Sequence, residues 1–251
     1  MSLPDLVRLA VAVLALVALA CGVIAWTGRR TIPDALVAVL RAAVQLALVA
    51  MVIGWIFAHP VAVGPYLAVM LVAAAVTSAR RIGGGWAALP SLLVSIGTGA
   101  AIVLGVVLAA GALAPTGQEV LPFTAQVIGG AMTAASLAGL RMRDDVAHRW
   151  GEVEAMLALG FSRREAVADL GRQAAARALV PALDQTRAAG LVTLPGAFVG
   201  LLLAGAPPWR AAQVQLLVLV GLLAAQAISA VGTAVLTAPL WAASRPVVTV
   251  R

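Results

Sequence analysis

The sequence predicts an all-α fold, a polytopic transmembrane helical bundle of about seven spans with a cytoplasmic helical elbow between spans five and six. Three observations predict it. Apolar residues make up 63% of the 251 positions and charged residues 11%, and the mean hydropathy of +1.04 is far above that of soluble domains. Several uncharged apolar runs are long enough to cross a bilayer. The charge is concentrated in one polar block, Arg141–Arg187, which holds 15 of the 27 charged residues.

Apolar segments of spanning length justify the transmembrane elements in order. Seven such segments are found: Leu6–Trp26, Ala35–Phe57, Pro65–Ser78, Trp86–Leu113, Phe123–Leu140, Ala188–Ala206 and Ala212–Leu240. The third is short unless it begins in the preceding loop, near Val61. No fixed-period repeat and no flexible linker divides the sequence. Residues 1–251 are therefore predicted to form a single transmembrane domain, with residues 141–187 as its cytoplasmic segment.

Arginines in the loops predict the orientation of the spans. They follow the first, third, fifth and seventh spans, at Arg29, Arg30, Arg80, Arg81, the polar block, Arg245 and Arg251. The alternate loops contain at most Arg210. Because Arg-rich short loops stay on the cytoplasmic side, we predict a multi-pass protein of the cell membrane with its amino terminus outside and its carboxyl terminus in the cytoplasm. The net charge of +7 is then topological and does not indicate a nucleic-acid partner.

The polar block is predicted to form two short helices that meet at Gly160-Phe161-Ser162, an arrangement we call the elbow. Gly160 lies where the first helix should end, because glycine adopts the left-handed conformation at little cost. Ser162 and Glu165 have the spacing of a capping box, so a second helix should begin there. Four residues form the predicted apolar face of that helix: Val167, Leu170, Ala174 and Ala178.

Two interpretations of this amphipathic block remain open on the residues alone. It can lie on anionic lipid with its arginines toward the headgroups, or it can dock on a partner protein. Amphipathicity does not distinguish them.

Four ordered motifs lie between about Gln126 and Gln215. They are Glu154-Ala-Met-Leu-Ala-Leu-Gly160, Arg177-Ala-Leu-Val-Pro181-Ala-Leu-Asp184, Gly190-Leu-Val-Thr-Leu-Pro-Gly196 and Ala204-Gly-Ala-Pro-Pro-Trp-Arg-Ala-Ala212. In this order and spacing they resemble the coupling region of ABC-transporter permeases and, more narrowly, the FetB/YbbM family. These are bacterial permeases linked to iron export, with plant relatives linked to aluminium tolerance.

The resemblance implies the membrane-spanning permease subunit of an ABC-type exporter, with iron as the substrate. It also implies that the elbow is a coupling helix for an ATPase. The residues it assigns to coupling are Glu152, Glu154, Ala155, Leu159, Gly160, Phe161, Ser162 and Glu165. The sequence departs from the family where Gly129-Gly130 replaces the usual Gly-Asn and Ala197-Phe198 replaces a paired Met. These departures concern the substrate more than the architecture.

The sequence contains no lysine. A P-loop requires a Lys that neutralises the β- and γ-phosphates, so this sequence cannot form one. We expect a permease that is not an enzyme and binds no cofactor, with ATP used by a separate cytoplasmic P-loop ATPase subunit. Seven helices are few for a complete pathway, which favours a homodimer in the lipid bilayer.

Polar groups at membrane depth are candidates for the pathway, because they usually face a bundle interior. Arg41 and Gln45 lie one helical turn apart in the second span, although Arg41 can instead snorkel to the headgroups. Gln126, like Thr133, Gln213, Gln215 and Gln226, can line a pathway or form interhelical hydrogen bonds.

Leu194-Pro195-Gly196 interrupts the sixth span. Pro195 removes a helix hydrogen bond and Gly196 relaxes the backbone, so carbonyls near Gly190 are free to line a cavity or serve as a hinge. A kink of this kind is equally an ordinary packing device. Asp184, at the edge of the same span, completes the candidate pathway or hinge residues.

No metal site is predicted, because His59 and His148 fall on opposite sides of the membrane. Two other functions remain as alternatives: an ATP-independent secondary carrier, and an ABC permease for a non-metal substrate. A carrier favours acidic or His side chains within its spans for proton coupling, and here Asp34 and Asp184 lie only at span edges. A membrane-embedded enzyme would need clustered reactive groups at one depth, which the sequence does not offer.

Overall fold

A computed structural model describes residues 3–27 and 31–243, so Arg29, Arg30, Arg245 and Arg251 lie outside the described residues. The contacts divide the chain into two compact units, residues 1–59 and 60–251. In the first unit, α1 (Leu3–Thr27) and α2 (Thr31–Ala58) pack against each other. Both helices are long and apolar enough to cross a membrane.

Four long helices form the second unit: α3 (Val63–Ile82), α4 (Gly85–Ala109), α5 (Gly117–His148) and α11 (Pro208–Trp241). Each is also long and apolar enough to cross a membrane. A 3-10 turn at Pro60–Ala62 precedes α3, which confirms that the short third span begins in the preceding loop.

Side-chain hydrogen bonds fix the direction of these helices. The Ser91 hydroxyl donates to the Leu236 carbonyl at 3.2 Å and the Ser229 hydroxyl to the Ser95 carbonyl at 3.1 Å, so α4 is antiparallel to α11. Helix α3 runs parallel to α5, because Ser78 meets Ser136 at 2.9 Å and the Arg143 guanidinium donates to the Ile82 carbonyl at 3.0 Å. Gly84, between α3 and α4, lies beside Leu240 at the carboxyl end of α11, since a Cβ atom added there would be 3.3 Å from a Leu240 methyl. The carboxyl ends of α3, α5 and α11 therefore lie at one end of the bundle.

Small residues let the helices approach closely. A Cβ atom at Gly99 of α4 would lie 2.6 Å from the Ser229 hydroxyl and 2.8 Å from the Ala225 carbonyl of α11. Fully buried alanines, such as Ala131 and Ala135 of α5, fill much of the remaining core. Close packing of this kind is how helices associate when there is no hydrophobic driving force between them.

Between α5 and α11 the chain forms five shorter helices: α6 (Trp150–Ala158), α7 (Arg163–Ala166), α8 (Ala168–Ala178), α9 (Val180–Ala188) and α10 (Gly196–Leu203). No β-strand is present in the described ranges, where the only bridge joins Ala189 to Thr193. The all-α class predicted from the sequence is confirmed.

The predicted sixth span, Ala188–Ala206, is not one continuous helix. Residues 189–195 form a turn, and α10 is only eight residues long. The segment begins earlier than predicted, at α8, and follows α11 from its carboxyl end toward its amino end. Gly171 of α8 lies level with Ala234, whereas the Phe198 amide of α10 donates to the Gln215 carboxamide at 3.2 Å.

Nineteen residues of α11 separate Gln215 from Ala234, which at 1.5 Å per residue is about 28 Å. That length matches the hydrocarbon core of a bilayer, about 30 Å. We call the stretch from α8 to α10 the broken segment. Together with the six long helices it accounts for about seven membrane crossings. The sequence did not indicate that the segment starts at α8, because Asp169, Arg172 and Arg177 lower the mean hydropathy of that helix.

Candidate functional site

The second predicted helix of the elbow is broken at Val167, so the elbow in the structure consists of α6, the turn after it, and α7. The first predicted helix is also interrupted, at Arg149, whose backbone leaves the helical region at φ −106° and ψ 29°. The Arg149 guanidinium donates to the Glu152 carboxylate at 2.8 Å. This hydrogen bond raises the pKa of Arg149 and lowers the pKa of Glu152.

Backbone hydrogen bonds end α6 as the sequence predicts. Gly160 takes a left-handed conformation at φ +92°. The Phe161 amide donates to the Met156 carbonyl at 3.2 Å, and the Gly160 amide donates to the Leu157 carbonyl at 3.0 Å. This is a Schellman motif, which satisfies the last carbonyls of the helix and turns the chain sharply.

The predicted capping box is present at the start of α7. The Glu165 amide donates to the Ser162 hydroxyl at 3.3 Å, and the Ser162 amide donates to the Glu165 carboxylate at 2.8 Å. Hydrogen bonds from the Ser162 hydroxyl and from the Ser162 amide favour the ionised carboxylate, so they lower the pKa of Glu165. Two local devices therefore fix the angle of the elbow.

The elbow exposes apolar side chains. The exposed fractions are 77% for Leu159 and 47% for Phe161, while Val153 beneath them is buried. The structure brings all eight predicted coupling residues to this exposed surface: Glu152, Glu154, Ala155, Leu159, Gly160, Phe161, Ser162 and Glu165. An exposed apolar pair between acidic residues of α6 and the exposed Arg163 and Arg164 of α7 is suited to a protein interface more than to bulk water.

Helix α8 uses its apolar face differently. Val167, Leu170, Ala174 and Ala178 are all buried, as the pattern predicted, but against α5 and α11 rather than against lipid or a partner. An ion pair between Arg177 and Asp145 also joins α8 to α5. The elbow therefore exposes a compact apolar pair, Leu159 and Phe161, while Val180 and Leu183 of α9 are the other large apolar side chains of the polar block that are exposed in the described residues.

A second candidate site lies near the middle of α5 and α11. Here a cavity of about 380 Å³, which we call the amide cavity, opens between α5, α9, α10 and α11. Its polar lining residues are Gln126, Thr133, Gln185, Gln215 and Gln226. Two of the predicted pathway residues, Pro195 and Gly196, also line it at the start of α10. The volume is that of an ordinary small-molecule site.

Close packing shapes the amide cavity. A Cβ atom at Gly130 would lie 2.7 Å from a Leu222 methyl and 2.8 Å from the Gln226 amide nitrogen. Gly130 thus leaves room for the Gln226 side chain to reach α5. A carboxamide is present at this level from α11, although the sequence lacks the family's usual Asn at this point of α5.

A larger cavity of about 740 Å³ adjoins the amide cavity toward the amino ends of α5 and α11. Gln126, Ala197 and Val218 line both. Glu119 and Arg210 line the larger one, and the Glu119 carboxylate accepts a hydrogen bond from the Ala114 amide at 2.7 Å. The two cavities together extend from mid-bundle toward one end, with polar groups at Gln126, Glu119 and Arg210 in a mostly apolar lining.

Other predicted pathway residues lie elsewhere. Gly190 is in the exposed turn before α10, where its amide donates to the Thr193 carbonyl at 2.9 Å. Asp184 is exposed and pairs with Arg187 at 3.4 Å. Arg41 and Gln45 are on α2, in the separate unit of residues 1–59.

Sequence reasoning did not identify Gln185, because it treated that part of the polar block as cytoplasmic. The sequence signal that could have identified Gln185 is its position one helical turn after Pro181, which lines the same cavity. Of the glutamines considered as interhelical links, Gln215 bonds to α10. Within the described ranges no group of three or more His, Cys, Asp or Glu side chains could hold a metal ion.

Comparison with known proteins identifies the family. The model of the uncharacterised protein family UPF0014 matches residues 6–240. The UPF0014 membrane protein YjkA of Bacillus subtilis is 32% identical over 82% of this chain and 83% of its own length. The probable iron export permease protein FetB of Escherichia coli is 31% identical, over 81% of this chain and 80% of its own.

The match to one plant relative covers a smaller part of both chains. Protein ALUMINUM SENSITIVE 3 of Arabidopsis thaliana is 32% identical over 49% of this chain and 45% of its own length. No solved structure matches the chain. The expected kinship with iron-export permeases and plant aluminium-related proteins is confirmed, and the chain belongs to the UPF0014 family of membrane proteins.

Proposed function

We propose that this membrane permease is the transmembrane subunit of an ABC-type exporter, driven by a separate cytoplasmic P-loop ATPase. The observation that carries the proposal is the elbow. It presents Leu159 and Phe161 to solvent on a turn fixed by a Schellman motif and a capping box. A rigid apolar projection fits a groove on a partner, because little conformational entropy is lost on binding.

We propose that the substrate passes through the amide cavity and that the broken segment, α8–α10, transmits movement of the elbow to that cavity. Closure of paired ATPases would displace the elbow, and α7 and α8 would pass that displacement on to α9 and α10. Packing supports this route, since α8 contacts both α5 and α11 and the Arg177–Asp145 ion pair ties it to α5. Pro195 and Gly196 then act as the hinge beside the cavity. Asp184 of α9 and Gly190 of the turn after α9 lie between α8 and that hinge.

The assembly proposed is a homodimer of permeases with two ATPases in the cell membrane. The amino terminus is outside and the carboxyl terminus is cytoplasmic. Parallel α3, α5 and α11 support this orientation, because they gather Arg80, Arg81 and the elbow that follows α5 at one end. This chain binds no cofactor in the proposal, and ATP is used by the partner subunit. Arg41 and Gln45 of α2 remain proposed pathway residues.

Iron is the proposed substrate. The support is the probable iron export permease FetB, to which the chain is 31% identical over most of its length. Export of the metal, rather than import, is proposed on the same ground.

Copurification tests the docking step. The permease would be coexpressed with a candidate P-loop ATPase subunit, and the amount of ATPase retained per permease would be measured. We expect Phe161→Asp to abolish retention, because it places a charge in the apolar contact. Ala168→Asp is the matched control, since Ala168 is exposed at the first position of α8, where an acidic residue suits the helix dipole. Full retention with Phe161→Asp would contradict the proposal.

ATPase stimulation tests the substrate. The permease and ATPase would be reconstituted in nanodiscs and supplied with iron both as the ferrous ion and as preformed complexes. We expect at least one form of iron to raise ATP hydrolysis. No response to any form would remove iron as the substrate while leaving the docking result intact.

A further inference from the structure

The side chains that line the amide cavity carry no charge. None of its lining residues is Asp, Glu, His or Arg, and its polar groups are four carboxamides and one hydroxyl. The site lies at mid-bundle, at a depth where a bilayer makes an isolated ion expensive, and it opens at the surface of the helices, where Gln126 and Gln185 are exposed and Gln226 is half-buried. A cation that kept its full charge would find no carboxylate there to offset it.

The backbone makes the cavity still less suited to a bare cation. Helix α10 begins in its wall, at Gly196, and a helix begins with unpaired amide groups and a partial positive charge. The Phe198 amide is used by Gln215. The Gly196 and Ala197 amides, which also line the cavity, donate to no protein atom in the part of the chain that is described.

Three of the four carboxamides are unused by the protein. Across residues 3–27 and 31–243, the side chains of Gln126, Gln185 and Gln226 form no hydrogen bonds to protein atoms. Each offers one oxygen acceptor and an NH₂ donor. They reach the cavity from α5, α9 and α11, so a ligand between them would be contacted from three sides. The array suits a ligand whose surface carries both acceptors and donors.

We propose that the amide cavity binds a metal enclosed in its own oxygen-donor ligands, as a complex with no net positive charge, and not as the aquo ion. This rests on the proposed function as a metal permease and names the form of its substrate. The carboxamides and α10 amides recognise the ligands around the metal, so the protein supplies no metal ligand. Specificity then resides in hydrogen bonds to the shell of the complex.

Direct binding to the purified chain tests this without the ATPase. The full chain in nanodiscs would be titrated with the neutral tris(acetohydroxamate) complex of ⁵⁵Fe(III), whose ligands present carbonyl oxygens and N–H groups. We expect saturable binding that excess aquo ferrous ion does not displace. Displacement by the ferrous ion, or absence of saturable binding of the complex, would overturn the proposal.

Variants locate the binding. Gln126→Leu and Gln226→Leu should each weaken binding of the complex about threefold to tenfold, the value of one hydrogen bond. Neither side chain bonds to the protein, so folding should be unaffected. Gln173→Leu, on the exposed face of α8, is the matched control and should bind normally. Unchanged binding in both cavity variants would overturn the site.

Gln226→Glu tests whether the uncharged lining of the cavity determines which form of the metal binds. A carboxylate in the cavity should weaken binding of the neutral complex and let the chain retain the ferrous ion. If Gln226→Glu left both affinities as they are in the unaltered chain, the cavity would not be the site. Failure of ATPase copurification, by contrast, would count against the proposed function and leave these binding results standing.

Discussion

The elbow and α8 are neighbours in one polar block, yet they use their apolar residues in opposite ways. Leu159 and Phe161 of the elbow are 77% and 47% exposed, whereas Val167 and Ala174 are fully buried against the bundle. Both segments show the same amphipathic pattern in sequence. The difference lies in side-chain size, since the inward face of α8 is made largely of Gly and Ala and can approach α5 and α11 closely.

This comparison explains why hydrophobic patterning alone left docking and lipid binding open. A face of small residues is suited to helix–helix contact, and a face that ends in Leu and Phe is suited to a partner's pocket. The polar block therefore divides at Val167, where the backbone leaves the helical region at φ −117° and ψ 6°.

The largest effect on stability should come from introducing an aspartate at Val167, at the start of α8, compared with an aspartate at Phe161 in the elbow. Val167→Asp buries a carboxylate without a partner and should destabilise the chain by about 3–5 kcal/mol. Phe161→Asp lies at an exposed position and should change stability by less than about 0.5 kcal/mol. Thermal unfolding in detergent measures both. Equal destabilisation would erase the distinction between the two regions.

Overpacking should give the next largest effect. A Cβ atom added at Gly171 would lie 3.6 Å from both the Ala234 Cβ and the Met142 Cε atoms, so the larger side chain of Gly171→Leu should cost about 3 kcal/mol. Gly151 of α6 has open space around it, which makes Gly151→Leu the control. Normal unfolding of Gly171→Leu would show that α8 can move away from α5 and α11.

The turn of the elbow should show a smaller effect. Gly160→Ala forces a Cβ into the left-handed region and should cost about 1 kcal/mol. Gly151→Ala, in the middle of α6, should instead be neutral or slightly stabilising. Hydrogen exchange of the Phe161 amide measures the local change. Unchanged protection in Gly160→Ala would show that the Schellman motif does not hold the elbow.

Acidification should give the smallest effect. The pKa of Glu165 is lowered below its ordinary value of 4.5, so its contribution to the capping box is complete above that value. It is lost as the pH falls through the lower folded pKa. Exchange of the Ser162 amide should therefore accelerate only in this acidic window in the unaltered chain, and Glu165→Gln should remove the pH dependence. An acceleration that survives in Glu165→Gln would assign it to another group.

The local features of the elbow could be predicted because they depend on a few adjacent residues. Gly160, Ser162 and Glu165 specify a helix end and a helix start through their own backbone and side-chain geometry. The break at Arg149 was not predicted, because the only glycine near it, Gly151, lies inside α6 and a single glycine does not by itself end a helix. Arg149 pairs there with Glu152 of α6.

The broken segment could be predicted only in part. Leu194-Pro195-Gly196 marks the start of α10, but the start of the segment at α8 depends on contacts with Met142 and Ala234, which are distant in sequence. The amide cavity shows the same limit. Gln126, Pro195 and Gly196 could be singled out as polar or irregular, while their convergence with Gln185 and Gln226 requires the tertiary arrangement.

The most direct test of the central claim is the thiol labelling rate of Phe161→Cys in a Cys21→Ser background, which removes the only natural cysteine. A membrane-impermeant maleimide should label Phe161→Cys rapidly in the permease alone and slowly once the ATPase subunit is bound. Ala174→Cys, on the buried face of α8, should label slowly in both states. Equal rates at the two positions, or a Phe161→Cys rate that the ATPase does not change, would contradict the account.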